Sequence, residues 1–180
     1  MKMVKGLVVA GIAAALLAGC GANNDNSAAN ANKPAEQTDV TTTASIVNQA
    51  DAFTTAVSEK GTWIIAILND LTVDKDVVVA GEFHDKNDAA KDIYRKIALY
   101  TQDEDHNITA SFTLTVPKLT VQSENLRIQG GTVKGDVYVE ANGFNLDKTA
   151  TIDGNLYFAN ADVQASAKID GKVTGATEVK

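Results

Sequence analysis

The sequence predicts an all-β chain: a single-domain parallel β-helix (β-solenoid) with one amphipathic helix capping its N-terminal end. Three observations predict it. From Leu71 onward apolar residues recur at every second position in short runs, the spacing of half-buried strands. The last fifty residues repeat themselves around three glycines, Gly135, Gly154 and Gly171. One segment alone, 45–60, carries apolar residues at helical steps.

In chain order, residues 1–19 read as an export signal. Lys2 and Lys5 form a basic start, and an apolar run from Gly6 to Ala18 follows. That run is too short to span a bilayer. It ends in Leu16-Leu17-Ala18-Gly19-Cys20, with the single cysteine of the chain at its close. The ending resembles the lipobox of bacterial lipoproteins. The resemblance implies that the Cys20 thiol receives a diacylglycerol, carrying fatty chains such as palmitate, and that cleavage leaves Cys20 first. Residues 20–44, rich in Asn, Ala, Ser and Thr, bury too little apolar surface to fold and read as a tether. A flexible stretch of about 23 residues reaches roughly 25–30 Å.

Residues 45–180 are then one domain. Ile46, Ala50, Phe53 and Val57 lie on one helical face, with Thr43 or Ser45 to cap the start and Gly61 as the left-handed C-cap. Alternation follows in Leu71-x-Val73 and in Val77-x-Val79-x-Gly81-x-Phe83. It runs unbroken from Ile108 through Ala110, Phe112 and Leu114 to Val116, and returns in Leu119-x-Val121 and Leu126-x-Ile128. Between these lies a charged insertion, 82–106. Thr132–Val139 then matches Thr151–Phe158 position by position, and Lys168–Val173 reads as a third, shorter copy. Stacked turns of three strands each use one such period, and a glycine recurring at one place fits a spot too crowded for a side chain.

The Val/Ile-x-Gly-x-Val/Leu units between Val133 and Val173 resemble the polymer-forming β-helix repeat of the bactofilins. The mature chain also resembles uncharacterised lipoproteins of Gram-positive spore formers, notably at Gly61-Thr62-Trp63-Ile64-Ile65-Ala66 and Leu71-Thr72-Val73-Asp74-Lys75. Bactofilins are cytoplasmic and lack a helix such as 45–60, so their likeness bears on fold more than on role. It implies self-association through open ends. The capping helix closes one end, which predicts a monomer or at most a weak two-fold homodimer through the last turn of the stack.

Charge narrows the function classes. Once Lys2 and Lys5 leave with the signal, 14 basic residues face 23 acidic ones, a net charge near −9. Such a surface repels nucleic acid and anionic lipid. With Cys20 acylated no thiol remains for a disulfide, a thiolate metal site or nucleophilic catalysis. Two-lobed solute-binding proteins need a longer βαβ chain.

The remaining chemistry is sparse. Segment 82–106 holds seven acids with His84 and His106, and reads as a solvated loop. No metal is assigned. Asp85, Asp103 and Asp105 are the residues that would hold one, although Asp85-x-Asn87-Asp88 lacks the glycine and distal glutamate of a calcium loop. The two histidines lack zinc spacing. Asp136, Asp153 and Asp170 beside the repeated glycines read as corner residues, Asp153 and Asp170 in register. Tyr138 and Tyr157 point outward in register, as a cross-strand pair before a platform for a glycan. No catalytic set and no cofactor motif emerges. The reading is a lipid-anchored structural or adhesive β-solenoid on the extracytoplasmic face of the cell membrane, without enzymatic activity and with cell-wall glycan or a surface protein as partner. The alternative is a glycan-binding or glycan-cleaving β-helix of the envelope that uses calcium.

Overall fold

The structure, a computed structural model, describes residues 45–180. The signal 1–19, Cys20 and the tether 20–44 lie outside the described residues.

The fold is all-β. In order, the elements are β1 (Ser45–Ile46), α1 (Ala50–Ala56), β2 (Ile64–Ala66), β3 (Leu71–Thr72), β4 (Val77–Val79), β5 (Arg95–Ala98), β6 (Tyr100–Gln102) and β7 (Ile108–Ser111). There follow β8 (Thr113–Val121), β9 (Leu126–Gln129), β10 (Thr132–Val139), β11 (Asn145–Leu146), β12 (Thr151–Asp153), β13 (Leu156–Phe158), α2 (Ala161–Ser166), β14 (Lys168–Ile169), β15 (Lys172–Val173) and β16 (Thr177–Val179). One sheet runs β1-β2-β5-β9-β11-β14. In the second, the first half of β8 and of β10 joins β3, β12 and β15, and the second half joins β4, β13 and β16. Every strand pairing in these two sheets is parallel, and the antiparallel strand pair among the described residues is the β6–β7 hairpin.

Period two decides what is buried. Ile65, Ile97, Ile128, Leu146 and Ile169 stand in register in the first sheet, and Leu71, Leu114, Val133, Ile152 and Val173 in the second. Val79, Val121, Val139, Phe158 and Val179 form another inward row. The first four members of each row are buried, whereas Ile169 and Val179 are 37% and 44% exposed. Each fully buried side chain of this size stabilises by about 1.5–3 kcal/mol, so the rows carry the fold. Between Lys134 and Asp136 the register slips by one residue. That bulge accommodates Pro117, which has no N–H to give a ladder.

Four expectations change. The helix is not 45–60 but Ala50–Ala56, because Ser45–Ile46 pairs with Ile65–Ala66 instead. The β-branched Ile46 and Val47 favour that edge pairing over a helical turn. Phe53 and Val57 are buried as the stripe requires, but Ile46 is 40% exposed. Gln49, not Thr43 or Ser45, is the N-cap, and its side chain makes no capping bond. Gly61 is absent from the residues of positive φ; what it avoids is a Cβ 1.8 Å from the Ala56 carbonyl.

Residues 82–106 are not one insertion either. The loop around the 3-10 turn Asp85–Asn87 ends before β5, which sits inside the first sheet, and the hairpin begins after it. The alternation from Ile108 also breaks: β7 ends at Ser111 with Ala110 exposed, and β8 starts at Thr113.

The third repeat shifts as well. Ile152 pairs with Val173 and Leu156 with Thr177, so Gly154 stands opposite Gly175 and not Gly171. Ile169 instead pairs with Leu146, which takes Asp170 out of register with Asp153. The unforeseen helix α2 lengthens this period, and Asn160 caps it by accepting from the Val163 amide at 2.9 Å. Two short helices therefore replace the single one expected.

Crowding at Gly135 and Gly154 is by backbone, not by core side chains. A Cβ on Gly135 would lie 1.7 Å from the Val116 carbonyl, and one on Gly154 would lie 2.2 Å from the Gly135 carbonyl. Gly135 also needs its φ of +141°.

Candidate ligand-binding groove

Outward positions of the first sheet carry several charged side chains. In β5 the inward residues are Arg95 and Ile97, leaving Lys96 and Ala98 on the other face. Lys96 stands in register with Ile64 on one side and Arg127 on the other, followed by Asn145 and Lys168. A row of cations thus crosses an acidic protein.

The β6–β7 hairpin folds over the end of this face. Tyr100 is buried against Ala66 and Ala98, with Ile108 packed alongside. Its ring passes so close to Gly130, at φ +68°, that a Cβ there would lie 2.5 Å from it. Lys96 Nζ donates to the Tyr100 hydroxyl at 2.7 Å. Burial first, then the neighbouring Arg127 charge, lowers the Lys96 ammonium to about 8, against a smaller opposing pull from Asp147.

Arg127 donates through Nη2 to Asp147, and its buried Nε has no hydrogen-bond partner. Its side chain is 36% exposed, and Tyr94 is a further hydrogen-bond partner. Burial alone would raise the Asp147 carboxyl. The Thr149 hydroxyl and amide, at 2.6 and 3.0 Å, together with Arg127 outweigh that and hold it at about 2. Tyr94 meets the buried Trp63, 6% exposed, ring edge to ring face at 6.0 Å. Burial raises the Tyr94 phenol against the lowering effect of Arg127. Together Trp63, Tyr94, Lys96 and Arg127 line an open groove of about 860 Å3, with Asp85 and Asp92 on its rim.

Sequence reasoning missed this groove. It assigned Lys96 to a solvated loop and treated Arg127 only as the residue between Leu126 and Ile128. The available signal was Tyr94-x-Lys96-x-Ala98 against Arg95-x-Ile97-x-Leu99, a strand alternation disguised by an arginine on the inward side.

The anticipated residues fall elsewhere. Asp85 pairs with Lys91 at 3.8 Å, while Asp103 lies in the separate β6–β7 turn with Asp105. Asp103 accepts from the amides of Asn107 and Asp105 at 2.8 and 3.0 Å, bonds that hold its carboxyl below the ordinary range. Among the described residues no three His, Cys, Asp or Glu side chains gather as metal ligands would. Asp136 accepts from the Asn155 amide and side chain, and Asp153 from Thr174, all at 2.9–3.0 Å. These are bonds between neighbouring corners. Tyr138 and Tyr157 do stand in register, rings 4.7 Å apart, with Lys118 beyond one and Lys180 Nζ 3.7 Å over the other. Tyr157 keeps only 8% of its surface exposed, which favours the cross-strand pair over an open platform.

No family model, no characterised protein and no solved structure matches this chain.

Proposed function

We propose that this protein is a lipid-anchored parallel β-helix on the extracytoplasmic face of the cell membrane, and that it acts by adhesion without catalysis. The observation that carries the architecture is the register. Inward rows such as Leu71, Leu114, Val133, Ile152 and Val173 recur once per circuit of three strands, with parallel pairing throughout. A β-helix of this kind is a rigid rod that needs no ligand to hold its shape. The short helix α1, with Phe53 and Val57 buried, covers its first circuit. For the anchor, the support is Leu17-Ala18-Gly19-Cys20 after an apolar run, and a polar stretch long enough to hold the rod away from the bilayer.

The bactofilin-like repeat supports the same architecture without the cytoplasmic role. Adhesion is favoured by an outward face that gathers aromatic and cationic side chains in one groove. The anchor is tested by metabolic labelling with a fatty-acid analogue. Wild type takes up label and sediments with membranes, and Cys20→Ala does neither. Label on the Cys20→Ala protein overturns the anchor.

A further inference from the structure

We propose that Asn142-Gly143 is a self-modification site, where the chain closes a succinimide and converts Asn142 to isoaspartate, loosening the turn that holds α2 and β14. The inference goes beyond the adhesive reading and needs no outside ligand. The reactive pair occurs once: of all the asparagines in the chain, only Asn142 is followed by glycine. A side chain on the following residue shields the backbone nitrogen, and Asn125, Asn145 and Asn155 are each shielded by a leucine. The fold requires glycine here. Gly143 has φ +76°, and a Cβ on it would lie 1.9 Å from Asn125 Oδ1.

Placement brings the reacting groups together. Asn142 is exposed in the turn between β10 and β11, so water and hydroxide reach it. Ser166, the last residue of α2, stands against both groups. Its Oγ accepts from the Gly143 amide at 3.0 Å, and it shares its proton between Val163 O at 2.8 Å and Asn142 Oδ1 at 3.5 Å. The nitrogen and the side-chain amide thus surround one hydroxyl. Once deprotonated, Gly143 N attacks Asn142 Cγ. The N–Cγ bond forms, the Cγ–Nδ2 bond breaks, and the nitrogen leaves as ammonia with the displaced proton. The imide then takes up one water. Opening at the Cγ–N bond gives aspartate, and opening at the backbone C–N bond gives isoaspartate, linked to Gly143 through its side chain.

The product no longer fits the turn. Isoaspartate lengthens the backbone by one atom and adds a carboxylate. The Asn142 carbonyl, which accepts from the Asn125 amide at 3.0 Å, becomes part of that carboxylate and leaves the main chain. The Gly143 amide shifts away from Ser166. Next in the chain is Phe144, whose carbonyl accepts from the Lys168 amide at 2.8 Å where β14 begins. The new charge also lies at the C-terminal end of α2, where the helix dipole disfavours an anion. Conversion therefore weakens the hold on α2 and on the strand that follows it.

The full chain in neutral detergent is aged at mildly alkaline pH. Peptide mass mapping follows the gain of one mass unit at each asparagine, and isoaspartyl methyltransferase reads the isoaspartate. Asn142 should convert at least tenfold faster than any other asparagine of residues 45–180, chiefly to isoaspartate. Asn142→Gln, whose longer side chain closes the ring far more slowly, should abolish the isoaspartate signal. The converted protein, separated by its added charge, should melt lower and exchange the Lys168 amide proton severalfold faster than unaged protein. Aged Asn142→Gln should do neither. Conversion at Asn142 no faster than elsewhere, aspartate without isoaspartate, or a converted protein with unchanged melting and exchange overturns the proposal. Failure of the anchor reading would show separately, in the fatty-acid label.

Discussion

Arg95 Nη2 donates to the carbonyl of Ala56, the last residue of α1, across 2.8 Å. The same nitrogen reaches Ser58 O at 3.0 Å, Nη1 reaches Ala80 O and Ser123 Oγ, and Nε reaches Thr62 O. All five donors of a fully buried guanidinium are used, and its face lies 4.1 Å from the Phe83 ring centre. Its partners are carbonyls and a hydroxyl rather than a carboxylate. It is a second donor to Ala56 O and Ser58 O, which also accept from the Thr62 and Gly61 amides, in the place where a cation complements the helix dipole. Burial lowers this guanidinium to about 10, still charged at neutral pH.

Replacing Arg95 therefore unties α1 from the first sheet. Arg95→Met removes five hydrogen bonds of a buried guanidinium at once and should cost on the order of 3–5 kcal/mol. Arg95→Lys offers three donors to the same ring of acceptors and should also be strongly destabilising. Urea unfolding followed by circular dichroism checks both, and a midpoint within error of wild type would refute the role assigned to Arg95.

How much was legible in sequence follows from the same residue. Strands with apolar inward positions, from Leu71 to Phe158, were readable because period two fixes a face. Strand β5 was hidden because Arg95 takes an inward place and Lys96 follows it, so the segment looks like solvent-facing charge. The register of the last repeat was unreadable for another reason. Lys168-Ile169-Asp170-Gly171 copies the local pattern, but α2 adds residues before it and the following corner is short, so pairing settles on Gly175. The groove needs β5 and β9 side by side, and no local pattern supplies that.

The glycine row gives a second prediction. Gly154→Ala places a methyl group 2.2 Å from the Gly135 carbonyl, where neither backbone can retreat without breaking the ladder. Overpacking of this kind costs about 1–3 kcal/mol. Gly154→Val should be worse. A thermal midpoint unchanged in Gly154→Ala would show that the Gly135 and Gly154 backbones stand further apart.

Lys96 gives a pH signature. Its ammonium titrates at about 8 in the folded protein and near 10.5 when unfolded. Between those values the unfolded chain holds the extra proton, so this group makes stability rise with pH across that window. The groups facing it are the Tyr100 hydroxyl, Tyr94, Arg127 and Asp147. The urea midpoint of wild type, relative to Lys96→Met, should therefore rise between pH 7.5 and 9.5. A flat difference across the window would refute the low titration of Lys96.

Self-association is decided at the C-terminal strands. There β14, β15 and β16 each have one neighbour strand, and Ile169 and Val179 are exposed among Lys168, Asp170, Lys172 and Glu178. An unpaired parallel edge templates another chain, but charges of both signs along it oppose close stacking. At the other end β1, β3 and β4 also have one neighbour strand each, and the α1 segment, with Phe53 and Val57 in the same core as Val77 and Val79, is the element that would have to cover them. With that end covered, only an end-to-end pairing of two copies through β14, β15 and β16 closes on itself. Light scattering of the Cys20→Ala full chain should report a monomer, or a dimer that Val179→Lys abolishes. Filaments in electron micrographs would show that α1 does not close its end, and would restore a bactofilin-like polymer as the working form.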